Sequence, residues 1–254
     1  MADLPPPASP PALVSAALTT TQVQVTSDFR GARIVLYGAV FDPLDRPSDV
    51  VVVVRGPDQA IRIARKVKTG PIWVNSRPVV FQGAPGFYMT ASTRPLDRIA
   101  RPAVLQSLGA GVDHLSFSVP GNGGIDTRFG SRDTVVSGQG ADYGEWRQAV
   151  VRLKSRAGLY AAADHGVSFV DQNLFRAEIV LPTAAPIGAY SAEILLFQDG
   201  QPVSRRMRGL TVEKVGIERG LYVFAHQRPW LFGLVSVFIA LGAGWLASVI
   251  FRRN

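Results

Sequence analysis

Apolar positions along this chain follow two rhythms. Through the first half they recur at every second residue or in short solid runs, broken by Asp, Gly and Pro. That spacing predicts strands at 23–27, 32–41, 50–55 and 59–68, with more at 72–75, 79–82, 86–92 and 112–119. Positions 50–54 are all valine, β-branched and suited to a strand covered on both faces. In 59–68, Ile61, Ile63 and Val67 fall on one face and Arg62, Lys66 and Lys68 on the other. The segment 95–108 has helical character, interrupted at Pro102. A helix is expected over 142–158, where Trp146, Val150, Leu153 and Ala157 share a face. Asp142 suits its N-cap, Glu145 completes a capping box and Gly158 supplies a stop. Strand rhythm returns over 167–215, with Asp199-Gly200 as a hairpin turn and TAAPIG (183–188) as a corner.

The pattern changes again at the C-terminus. Residues 229–251, PWLFGLVSVFIALGAGWLASVIF, carry no charge, and Arg252, Arg253 and Asn254 follow. At a rise of about 1.5 Å per residue, such a helix covers a hydrocarbon layer of about 30 Å. The expected class is therefore mainly β: one or two immunoglobulin-like β-sandwich domains, a linking amphipathic helix and a single C-terminal transmembrane helix. The expected divisions are a disordered Pro/Ala-rich lead-in (1–20), a first β region (21–119), a Gly-rich linker (120–141) and a helix with a second β region (142–215). A membrane-proximal helix (216–228), the span (229–251) and a cytoplasmic tail (252–254) complete the list.

Composition sharpens this in a few places. The 25 Gly and 18 Pro favour turns and short strands over long helices. The net charge is +8, most of it outside the terminal Arg pair. Beside a bilayer, anionic headgroups are the simplest counterpart, and no aromatic interleaving points to nucleic acid. Cysteine is absent, which excludes disulfides, thiolate metal sites and a cysteine nucleophile. The N-terminus shows no basic, uninterrupted apolar leader. A removed leader, a truncated start and a tail anchor are all compatible with that. The favoured topology has the bulk of the chain exported and the C-terminus cytoplasmic.

Several blocks resemble one family, the alphaproteobacterial putative transmembrane proteins of unassigned function. They are TSDFRGARIVLYGAV (26–40), IWVNS (72–76), ASTRPLDRI (91–99), LFRAEIVLP (174–182), APIGAYSAEILLFQDG (185–200) and VGIERGLYVFAHQRPWLFG (215–233). The resemblance implies a leader, a periplasmic β-rich domain and one C-terminal span in the bacterial inner membrane. It also implies a place beside sulfite-exporter-like membrane proteins. No catalytic residues come with it.

Candidate residues follow from these features. Ala240, Gly244 and Ser248 recur every four residues, a small-residue stripe that admits a second helix. Tyr222, Phe224, His226, Arg228 and Trp230 suit the membrane interface. The leading expectation is a non-enzymatic accessory subunit of a membrane complex, such as a transporter. Its partners would be the lipid bilayer and an integral membrane protein or a second copy, with no cofactor. A second expectation is capture of an anion, such as a sulfur oxyanion, by Arg62, Lys66, Arg205 and Arg206. A weaker one is a metal-dependent enzyme around the Asp-His pairs at His114 and His165.

Overall fold

The architecture was analysed in a computed structural model. It describes residues 12–26, 29–64, 66–75, 79–115, 127–128, 131–132, 142–214, 237, 240–242 and 244–245. The chain forms two compact units, residues 1–23 with 29–213, and residues 24–28 with 214–254.

In the first unit, alternation dictates the outer sheet. β1 (Leu13–Leu18), β2 (Gln22–Val25) and β3 (Ala32–Phe41) come first in the chain. β3 buries Ile34, Leu36 and Val40 and turns Arg33 and Tyr37 outward. The solid valine run becomes β4 (Asp49–Arg55), and Val50 to Val54 are all buried. Burying each such side chain contributes roughly 1.5–3 kcal/mol, so this strand belongs at the centre of a sheet.

The strands that follow are β5 (Asp58–Ile63), β6 (Lys66–Thr69), β7 (Ile72–Asn75), β8 (Val79–Pro85) and β9 (Tyr88–Ser92). Two short helices, α1 (Leu96–Ile99) and α2 (Pro102–Leu108), lead to a 3-10 turn at Val112–His114. β10 (Thr127–Arg128) and β11 (Ser131–Arg132) form a minimal hairpin. Then come α3 (Asp142–Arg156), β12 (Tyr160–Ala163), β13 (Val167–Phe169), β14 (Leu174–Leu181), β15 (Gly188–Gln198) and β16 (Gln201–Lys214).

Pairing order decides the architecture. One sheet runs β1-β3-β14-β13 and the other β12-β9-β4-β15-β16-β2. Strands from before and after residues 120–141 therefore sit side by side in both sheets. Val52, Ile194 and Leu196 lie on the face of the six-stranded sheet turned toward Val14, Leu36, Phe175 and Ile179 of the other. β1 is tied across to β16: Arg206 Nε donates to the Val14 carbonyl at 3.3 Å and Arg208 Nε to the Ala16 carbonyl at 2.7 Å. The opposite face, with Val51, Val53, Tyr88, Leu195 and Phe197, packs under Leu105, Val150, Phe81 and Ile63 from the helices and the β5–β8 pair.

Two local devices close this layer. Gly109 and Gly158 take φ of 61° and 69°. In each case the N–H groups of the glycine and its successor return to the helix carbonyls. Gly158 reaches Ser155 and Leu159 reaches Lys154, as a Schellman ending requires. At the foot of β15 the Tyr190 hydroxyl donates to the Pro186 carbonyl at 2.6 Å, pinning the corner 182–187 to the strand it feeds.

Some expectations need correction. Residues 13–18 are strand β1 rather than lead-in, because Val14 and Ala16 alternate inward against Val40 and Gly38. The span 59–68 is two strands. β5 pairs with β8 and β6 with β7, and a register irregularity falls between Gln59 and Ile61. Residues 112–114 form a 3-10 turn instead of a strand, since the Tyr88 hydroxyl accepts the Gly111 N–H at 2.9 Å and holds the chain there. On α3 the buried side is Val150 with Trp146 and Ala149 beside it, while Leu153 is 55% exposed. In the second unit the described residues 237, 240–242 and 244–245 are helical and exposed. Among the described residues, no helix is long and apolar enough to cross a membrane. The rest of 216–254 lies outside the described residues.

Candidate functional site

Where β3 leads into β4, the described residues form a dense polar cluster. The sequence there, FDPLDRPSD, places an Asp just past a strand end and a Pro after it, a turn-forming arrangement. Asp42 accepts the N–H groups of Leu44 at 3.2 Å and Arg46 at 2.9 Å. Its carboxylate also takes a two-pronged pair from Arg46, Nε at 3.0 Å and Nη2 at 3.1 Å. Gln198, the last residue of β15, adds its side-chain amide at 2.8 Å. Only 4% of the Asp42 side chain is exposed. The Arg46 guanidinium holds the Asp42 carboxyl well below the usual carboxylate range, and burial opposes this only in part.

The neighbouring connections are tied to the same cluster. Gln198 also donates to Ser48 at 3.0 Å, and Gln172, in the 170–173 connection, donates to Asp45 at 3.2 Å. Asp49 accepts Thr93 Oγ1 at 2.9 Å and Arg94 Nε at 2.8 Å, and His165 Nδ1 lies 3.0 Å from the Thr93 carbonyl. Two connections, 42–48 and 170–173, thus border a cleft of about 230 Å³ whose lining includes Asp42, Arg46, Phe169 and Gln172. The Asp42 carboxylate is held by donors from Leu44, Arg46 and Gln198, which fixes the connection it sits in.

Large apolar side chains are exposed around the cluster, beside the exposed polar residues Asp45, Arg46, Asp171, Gln172 and Asn173. Phe41 and Leu44 are 60% and 53% exposed, and Val170 is 59% exposed. Leu13 stands directly across from Phe41 in the β1–β3 register, and Leu174 pairs with Ala39 two residues away.

The residues singled out by sequence are distributed differently. Arg205 and Arg206 alternate along β16, so they point to opposite faces. Arg205 is engaged by Glu193 and Arg206 by the Val14 carbonyl. Arg62 lies on β5 and Lys66 on β6. The structure does not bring these four together. His114 sits in the 3-10 turn and His165 at a turn with φ 65°. Among the described residues, no group of three or more His, Asp or Glu is placed to hold a metal ion. Ala240 and Gly244 are on the described helical stretch, and a Cβ at Gly244 would meet nothing within 4 Å. Ser248, Tyr222, Phe224, His226, Arg228 and Trp230 lie outside the described residues. The loop-end cluster was missed by the sequence reading, although the Asp-Pro turn after β3 signalled its first member.

The described residues form a mainly β domain, and the sequence carries an uncharged apolar stretch at 229–251. Residues 13–253 match the family described as "Putative transmembrane protein (Alph_Pro_TM)". The chain belongs to that family. No curated protein matches it.

Proposed function

We propose that this chain is a bilayer-anchored binding protein, a non-enzymatic accessory subunit of a membrane complex, with its β domain on the periplasmic side and one C-terminal helix in the inner membrane. We infer that the domain is immunoglobulin-like. The order β1-β3-β14-β13 supports this as A-B-E-D and β4-β15-β16 as C-F-G, with β9 beside β4 in the place of C′; β12 departs from the pattern by pairing with β9 in parallel. The Tyr190–Pro186 bond occupies the place of a tyrosine corner at the start of strand F.

The observation that carries the binding role is the exposed Phe41–Leu44–Val170 rim on loops fixed by Asp42, Arg46 and Gln198. Such a rim offers apolar contact without the entropy cost of ordering mobile loops. The partner it suits is an integral membrane protein sharing the bilayer, since tethering makes the second contact effectively intramolecular. Purification of the full chain from native membranes in mild detergent tests this. A stoichiometric membrane partner should accompany the wild type and be lost from Phe41→Glu/Leu44→Glu, with the thermal midpoint of the domain unchanged. A partner retained by the double variant sinks the assignment.

A further inference from the structure

Among the described residues, the hairpin β6–β7 is a two-stranded sheet of its own, separate from the two larger sheets. Its strands pair Lys66 with Asn75, Lys68 with Trp73 and Thr69 with Ile72, and Gly70 turns between them at φ 63°. The extensive contacts of each strand are with the other strand of the hairpin. Yet the second strand opens with three large apolar residues, Ile72, Trp73 and Val74, which are 59%, 65% and 37% exposed. Side chains alternate across a strand, so both faces of the ribbon are apolar at its tip. A two-stranded ribbon with no packed face is marginal in water. An apolar tip of this kind marks a contact surface.

Charge says what that contact is. From Gln59 to Leu96 the chain has no acidic residue, while Arg62, Arg65, Lys66, Lys68 and Arg77 fall within the β5–β8 excursion. Lys66 and Lys68 are exposed, with Lys68 directly across from Trp73. A protein groove covers one face of a ribbon. A fluid interface surrounds both, and it suits tryptophan at headgroup depth, lysine stems reaching back to phosphates and aliphatic side chains below them. Anionic lipid adds attraction for each basic group near the surface.

We propose that the β6–β7 hairpin inserts its tip, Ile72, Trp73 and Val74, into the headgroup region of an anionic bilayer, with Lys66 and Lys68 on lipid phosphates. This gives the domain a second membrane contact besides its helix. It rests on the bilayer-anchored reading above.

The chain has no cysteine, so one introduced thiol reports one place. Full chain carrying Ile72→Cys, labelled with an environment-sensitive fluorophore, is reconstituted into phosphatidylcholine vesicles with or without phosphatidylglycerol. Emission should rise several-fold and become quenchable by a lipid-borne nitroxide in the anionic vesicles only. Lys66→Glu/Lys68→Glu should abolish the rise, and a label at Val180→Cys, exposed on β14, should stay in water throughout. Flotation of the same samples reads the anchor separately. Protein that floats with its Ile72 label still open to aqueous iodide overturns the hairpin proposal and leaves the anchor standing. A rise indifferent to lipid charge, or one that needs native membrane protein, also overturns it. Failure to float with either lipid removes both.

Discussion

Arg46 closes a two-pronged ion pair on Asp42 four residues before it, and Gln198 from a strand remote in sequence completes the carboxylate's shell. This contact converts a seven-residue connection into a rigid platform. Its energetic signature is a pH dependence with a definite sign. The Asp42 carboxyl in the folded domain titrates below an unfolded aspartate, whose value is about 3.9. The group therefore contributes stability that is fully present above about pH 4 and is lost as the pH falls toward its folded value. Denaturant unfolding across pH 5 to 2 should show a steeper loss for the wild type than for Asp42→Asn, which has no carboxylate to protonate. Parallel pH profiles would refute the assignment.

Tyr190→Phe should lower stability by about 1 kcal/mol, the usual net worth of an internal hydrogen bond. The variant keeps the ring against Phe87, whose centroid lies 5.8 Å away, and removes only the hydroxyl that the Pro186 carbonyl accepts from. A shifted urea midpoint with an unchanged slope is the expected result. No shift would mean the corner is held by packing alone.

Gly38 lies on β3 between Ala16 and Phe175 in adjacent strands. A Cβ there would stand 2.3 Å from the Phe175 ring and 2.7 Å from the Ser15 carbonyl oxygen. Gly38→Ala should cost about 1–3 kcal/mol, the range for over-filling a packed core. Phe175→Leu in the same chain should relieve part of it, so the double variant should fall short of the sum of the singles. Strict additivity in chemical denaturation would argue against the ring contact.

Gly244→Leu tests the small-residue stripe. Flotation with membranes should be unchanged, because leucine is as apolar as the segment around it. Co-purification of a membrane partner, or of a second tagged copy, should drop if that helix face is a packing surface. Full retention of both would leave the helix as a lipid anchor alone.

The histories of particular residues show where sequence was enough. The valines at 50–54, the stop at Gly158 and the Asp199-Gly200 turn were legible because each depends on neighbours within a few positions. Asp199 and Gly200 both take positive φ, as a two-residue hairpin turn demands. The loop-end cluster was not legible, because Gln198 reaches Asp42 across 156 positions, and no local rule selects that partner. The break within 59–68 was hidden for a similar reason. Period-2 alternation continues across it, while β5 and β6 belong to different pairings.

By itself the sequence determined the uncharged terminal stretch, the β character of the body and most of its turns, all properties of short-range chemistry and periodicity. The tertiary structure decided that β1 is a strand, that halves separated by a Gly-rich stretch share both sheets, and that Arg205 and Arg206 turn away from each other. Those outcomes depend on which strands lie side by side. Backbone pairing is nearly indifferent to residue identity, so the choice falls to the packing of the whole buried core.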